Sequence, residues 1–180
     1  VSSTGSADIG MGGVLTVTCN SEGVDNSLTV PSVEQLTIWA NRAVRETTIA
    51  AEHGEELELS VAFIDSQAMR ELNKEYRGID KPTNVLTFSA LEDLVDPTLE
   101  VAGLLGDIVI CPEVIHSEAA AQGKSVEHHF AHMLVHGVLH LGGMDHHVEK
   151  EAQAMEQAEI QILSSLDIPD PYNAVFTKPT

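Results

Sequence analysis

Seven of the nine histidines in this 180-residue chain, His128, His129, His132, His136, His140, His146 and His147, fall within twenty consecutive positions. The aromatic fraction is only 4%, so the cluster does not reflect a general richness in ring side chains. His136 and His140 are four residues apart in an apolar run, and a helix there places one imidazole above the other on a single face. Two nitrogen ligands in that geometry can grip one zinc ion. His132 extends the stripe, but eight residues separate it from His140, about 12 Å of helix axis. Ligands each ~2.1 Å from one tetrahedral zinc must lie only a few ångströms apart. The third ligand therefore has to come from chain that has turned back. Gly142-Gly143 supplies the turn, and His146 or His147 follows it. His128, His129 and His132 read more simply as polar rings tolerated at an exposed helix start.

Three neutral nitrogen ligands leave a fourth position open, which marks a catalytic rather than a structural zinc site. Zinc in that setting can lower the pKa of bound water from about 15.7 to about 7. A metalloprotease would read His-Glu-x-x-His, with the glutamate as general base. Here Gly137 stands in the glutamate's place, which disfavours peptidase chemistry.

Nine Lys plus Arg against 28 Asp plus Glu give a formal net charge of −19. A field of that sign repels phosphates at long range and excludes indiscriminate nucleic-acid binding. No run approaches the roughly 18 apolar residues of a membrane span. No positive region followed by an apolar run marks a secretory leader, so the expected location is the cytoplasm. Cys19 and Cys111 are too few for a disulfide scaffold.

The chain reads as a Gly- and Ser-rich loose tail over 1–13 and a single domain over 14–180. Val14 to Cys19 alternates like a strand. A helix starts at Ser32, where Gln35 completes a capping box, and runs to about His53. Leu57 to Ile64 alternates polar and apolar residues as a strand. Asp65 can cap a helix through Tyr76, with Met69, Leu72 and Tyr76 on its apolar side. Val85 to Phe88 and Leu105 to Ile110 are strand-like, joined by an acidic connection containing Pro97. Pro112 opens a helix that Gly123 ends, and Ser125 caps the histidine helix, which stops at Gly142-Gly143. The last helix, from about Val148 to Leu166, shows Val148, Ala152, Met155, Ile162 and Leu166 at helical spacing. Strands and helices in this order predict a small sheet with helices packed on it.

Arg70, Lys74, Arg77 and Lys81 are four of the nine cations, all inside twelve positions. Spacings of four and three put the first three on one side of a helix. The plain reading is a solvated face supported by Glu71 and Glu75.

Three separated motifs carry a resemblance. They are Asn73-x-x-Tyr76-Arg77-x-x-Asp80-Lys81-Pro82-Thr83-Asn84-Val85-Leu86-Thr87-Phe88, Gly106-Asp107-Ile108-Val109-Ile110, and His132-Met133-x-Val135-His136-Gly137-x-Leu139-His140-Leu141-x-Gly143-x-Asp145-His146. In that order, and with the Asp170-Pro171-Tyr172 tail, the chain resembles the YbeY family of bacterial zinc-dependent endoribonucleases acting in ribosomal RNA maturation. The likeness runs from about Leu57 to that tail. It implies an α+β fold with a four-stranded mixed sheet, about five helices, and the metal helix packed beside the sheet. It implies one zinc ion on His136, His140 and His146, with Arg77 facing the same cleft. Three residues depart from the family pattern: Ser89 after the Phe, and Gly142 and Met144 near the third ligand.

On this reading the reaction is hydrolysis of RNA phosphodiesters in single-stranded regions, during rRNA maturation and late ribosome assembly or quality control. Arg77 holds two phosphate oxygens through its planar fork, and Lys74 and Lys81 position the backbone on either side. The expected partners are ribosomal RNA and ribosomal or assembly proteins, with neither DNA nor membrane. Two rival readings stand beside it: a ribosome-assembly factor that binds pre-rRNA or ribosomal proteins, with a chiefly structural zinc, and a zinc hydrolase of a small ester or amide, which needs neither Arg77 nor the lysines.

Overall fold

The computed structural model describes residues 1–53, 55–90, 103–145 and 147–173. The expected ligand His146 and the acidic connection around Pro97 lie outside the described residues. The strands are β1 (Ser2–Gly10), β2 (Gly13–Glu22), β3 (Glu56–Ile64), β4 (Val85–Ser89) and β5 (Leu104–Ile110). The helices are α1 (Val33–Arg45), α2 (Ile49–His53), α3 (Ser66–Arg77), α4 (Pro112–Gln122), α5 (Val126–Leu141) and α6 (Glu149–Ser165). All five strands join one mixed sheet in the order β1-β2-β3-β5-β4, parallel at β2–β3 and β3–β5 and antiparallel at both edges.

The architecture is α+β, with one strand more than the four expected. The extra strand is β1, formed by the segment that composition marks as a loose tail. Its small residues serve close packing instead of disorder. A Cβ on Gly5 would stand 2.4 Å from the Thr37 hydroxyl of α1, so only glycine lets the helix approach there. Asn41 Nδ2 of α1 donates to the Asp8 carbonyl at 2.7 Å, and Ile9 enters the core. Left-handed backbone at Gly10, Met11 and Gly12 turns β1 into β2.

Local signals start the helices where expected. Ser32 and Gln35 form a complete capping box on α1, Asp65 caps α3, and Ser125 caps α5. Each such cap is worth about 1 kcal/mol because it satisfies amides that the helix itself cannot. The single helix expected from Ser32 to about His53 is instead two. Thr47 Oγ1 donates to the carbonyls of Ala43 at 2.8 Å and Val44 at 3.2 Å, taking up acceptors that a continuing helix would use.

The sheet separates two apolar clusters. Leu59, Val61 and Phe63 of β3, Ile108 and Ile110 of β5 and Val85 of β4 pack with α1, α5 and α6. On the other face, Met69 of α3 meets Leu86, Val109 and Cys111, with Ala62, Ile64, Leu72 and Phe88 around them. The histidine helix α5 and the basic helix α3 therefore cover opposite faces. A register shift near Leu105 keeps β5 in phase with both clusters. It depends on Gly106, at φ 137°, where a Cβ would stand 2.1 Å from the Phe88 carbonyl.

Candidate functional site

Helix α5 lies on β4 and β5 with its apolar residues turned to the sheet, and one polar stripe, His129, His132, His136 and His140, runs along it. Gly137 is what brings the helix so close. A Cβ there would meet Ile108 Cδ1 at 2.8 Å. The residue that displaces the protease glutamate is thus a packing contact with β5.

His136 and His140 stack one turn apart, ring centroids 4.6 Å from each other and planes at 81°. This pair is the part of the expected zinc site that the described residues contain. Among them, no group of three His, Cys, Asp or Glu side chains is placed to hold a metal ion. His132 stands off, its ring 6.5 Å from that of His136, in keeping with the distance argument against a shared ion. His147, the other candidate third ligand, is exposed, with Nε2 3.3 Å from Asp145 Oδ2.

Sequence reasoning missed the residue that organises this stripe. Glu159 of α6 is 0% exposed and accepts from His136 Nδ1, from His132 Nε2 at 3.2 Å and from the Tyr172 hydroxyl. Burial alone would push its carboxyl up, but the three hydrogen bonds outweigh that and bring it down to about 2. The Tyr172 phenol is pushed up by burial and by the carboxylate it faces. A signal for Glu159 was present: it continues the Met155, Ile162, Leu166 stripe on the buried side of α6. For Tyr172, outside any helix or strand, spacing offers none.

The expectation that His129 and His132 mark an exposed helix start is corrected. They are 4% and 7% exposed. His129 Nε2 lies 2.7 Å from Glu118 Oε2 of α4, which Asn84 also reaches at 3.1 Å. Burial lowers the His129 pKa below its ordinary value, with Glu118 opposing.

The chemistry of the His136–His140 pair suits zinc. With Nδ1 of His136 donating to a carboxylate, the ring lone pair sits on Nε2, the tautomer a metal ligand needs. Two imidazoles one turn apart are the donor types zinc prefers.

The basic stripe is partly neutralised. Asp80 accepts from Arg70 Nε at 2.7 Å and Lys74 Nζ at 3.2 Å, and these contacts lower its pKa. Arg77 and Lys81 are exposed and, among the described residues, pair with no carboxylate. Asn73, on the buried side of α3, donates to the Lys81 carbonyl at 2.8 Å and holds the loop that follows the helix. No described contact joins Arg77 to His136 or His140. Its neighbour Tyr76 rests on Phe88 of edge strand β4, ring centroids 4.8 Å apart, while α5 packs on the other face of that strand.

Comparison with known proteins identifies the family. The family profile described as Endoribonuclease YbeY matches residues 22–167. The Endoribonuclease YbeY of Alteromonas mediterranea is 44% identical over 148 residues, 82% of this chain and 88% of its own length. That of Halorhodospira halophila is 44% identical over 144 residues, 79% of this chain and 88% of its own. A solved solution structure of a Thermotoga maritima protein aligns over 84% of this chain and 91% of that one, with TM-score 0.49 and 22% identity. The profile spans both the Arg77 motif and the histidine helix, and the chain belongs to the endoribonuclease YbeY family.

Proposed function

We propose that this chain hydrolyses phosphodiesters in single-stranded regions of ribosomal RNA, with one zinc ion on His136, His140 and His146. The observation that carries the reading is the His136–His140 pair, 4.6 Å between ring centroids, in a chain of an endoribonuclease family. When bound, zinc supplies Lewis acidity toward water and toward a phosphate oxygen. Arg77 offers a planar fork to two phosphate oxygens and stabilises charge that builds on them. Lys81 and Lys74 hold the RNA backbone to either side, Lys74 by exchanging Asp80 for phosphate. Gly137 offers no side chain at the position where a peptidase carries its general base, which sets this site apart from peptidases.

Strand β4 supports the cooperation of two helices on opposite faces. It is the last strand of the sheet, with Tyr76 of α3 against Phe88 on one face and α5 packed on the other, so an RNA strand crossing that edge would pass from α3 toward α5. The net charge of −19 keeps arbitrary RNA away and leaves binding to this local patch. A ribosomal or assembly protein supplies the remaining affinity, and the cytoplasm is the setting. Among the described residues no helix is long and apolar enough to cross a membrane.

The test is incubation of purified protein with structured ribosomal RNA, with and without a zinc chelator, beside the Arg77→Ala variant. Cleavage that disappears in both arms, with zinc retained by the variant, is the expected result. Chelator-resistant cleavage would refute the metal reading. Cleavage of a small ester that is indifferent to Arg77 would favour a small-substrate hydrolase.

A further inference from the structure

Glu159, fully buried, and Tyr172, 46% exposed, form an arrangement that ligand chemistry alone does not require. Glu159 sits on α6 and Tyr172 in the segment that follows it, both outside the histidine helix. The two carboxylate oxygens are divided between tasks. Oε1 accepts from His136 Nδ1, whereas Oε2 accepts from Tyr172 and lies 3.2 Å from His132 Nε2. The Tyr172 oxygen is also 3.3 Å from His132 Nε2, which closes a small polar network inside the α5–α6 interface. A fully buried carboxylate is costly unless every oxygen is engaged, and here both are.

From this geometry we infer that Glu159 is a positioning residue for the metal-site histidine His136, and that Tyr172 anchors Glu159 in turn. The inference rests on His136 being a zinc ligand, as proposed above. The carboxylate selects the Nδ1–H tautomer and fixes the ring about its Cβ–Cγ bond, so that Nε2 carries the lone pair at a set place. A neutral histidine left to itself divides between two tautomers and several rotamers, and each wrong state must be corrected when metal binds. His132 completes the cage from the other side. Its Nε2 stands 3.2 Å from Glu159 Oε2, and its ring meets Tyr172 at a centroid distance of 5.4 Å, nearly edge to face. The segment Ile168 to Tyr172 thereby becomes part of the metal centre's support without contributing a ligand. Ile168 packs into the main core beside α5 and α6, and Asp170 Oδ1 accepts from the Tyr172 amide at 2.8 Å, which sets the approach of the phenol.

Zinc affinity, read by competition with a chromophoric chelator, tests this in the full chain. Four proteins are compared: wild type, His140→Ala, Glu159→Gln and Tyr172→Phe. Removing an outer partner of a ligating histidine typically weakens metal binding by about 10–100-fold. Glu159→Gln should fall in that range and Tyr172→Phe between it and wild type, with circular dichroism unchanged. A long-range proton–nitrogen spectrum of zinc-loaded wild type should show the His136 proton on Nδ1, and that readout stands even where Glu159→Gln does not fold. If His140→Ala loses zinc while both other variants bind within twofold of wild type, the positioning role is overturned. A proton on His136 Nε2 also overturns it. If His140→Ala keeps full zinc stoichiometry, it is the metal reading that fails.

Discussion

His136 and His140 sit one turn apart on α5, their rings meeting nearly edge to face with 4.6 Å between centroids. Two imidazoles held this close are predisposed to share a cation, since the helix has already fixed their spacing. His140→Ala should therefore reduce zinc content below stoichiometric while leaving the far-ultraviolet spectrum close to wild type. Elemental analysis of purified protein decides it, and unchanged zinc content would count against the site.

Arg77 is exposed at the last turn of α3 and carries no described ion pair, so its removal costs little stability. Arg77→Ala should lower RNA cleavage by about 10²–10³-fold, the usual loss when one donor to developing charge is deleted. Zinc content and melting temperature should stay as in wild type. Loss of metal in this variant would show that Arg77 has a different role.

Asp80 neutralises Arg70 and Lys74 at once, through exposed contacts of 2.7 and 3.2 Å. Asp80→Asn frees both cations. RNA binding at low salt should tighten by about two- to fivefold, the scale of exposed ion pairs, and the gain should fade as salt is raised. Fluorescence anisotropy with a labelled rRNA fragment at two ionic strengths measures this. Weaker binding would mean that the basic stripe does not contact RNA.

His129 is buried against Glu118, and burial holds its pKa below the ordinary value of 6.5. Between that ordinary value and the depressed one, the unfolded chain binds more protons than the folded chain. Stability is therefore retained above about pH 6.5 and falls as acid carries the solution down through the folded pKa. His129→Phe cannot titrate, and its urea midpoint should fall less than that of wild type between pH 7.5 and 5.5. Equal losses in the two proteins would remove His129 as the cause.

Gly137 occupies the position that a metalloprotease gives to its general base, but here it faces Ile108 across the α5–β5 contact. Gly137→Glu should not create a peptidase. It should destabilise the fold on the order of 3–5 kcal/mol, the cost of an unpaired charge forced into packed apolar surface. Urea unfolding reads this directly, and a stable variant that cleaves peptides would contradict both points.

Much of this molecule was legible because its signals are local. The Ser32–Gln35 capping box, the Asp65 and Ser125 caps and the i, i+4 pair His136–His140 are relations within one or two turns of chain, and backbone geometry alone carries them. The sequence alone determined the α+β class and the pair of stacked histidines. Tertiary structure alone decided that the Gly- and Ser-rich start is a strand, because Gly5 matters only once α1 is known to lie on it. It also put the basic stripe and the histidines on opposite faces of one sheet and brought Glu159 and Tyr172 to His136. The contacts among Glu159, Tyr172 and the histidines join residues 13 to 40 positions apart, where no helical or strand period links one residue to the next. Packing chooses among the arrangements that local preference leaves equal, and here the arrangement it chose buried a carboxylate behind a histidine.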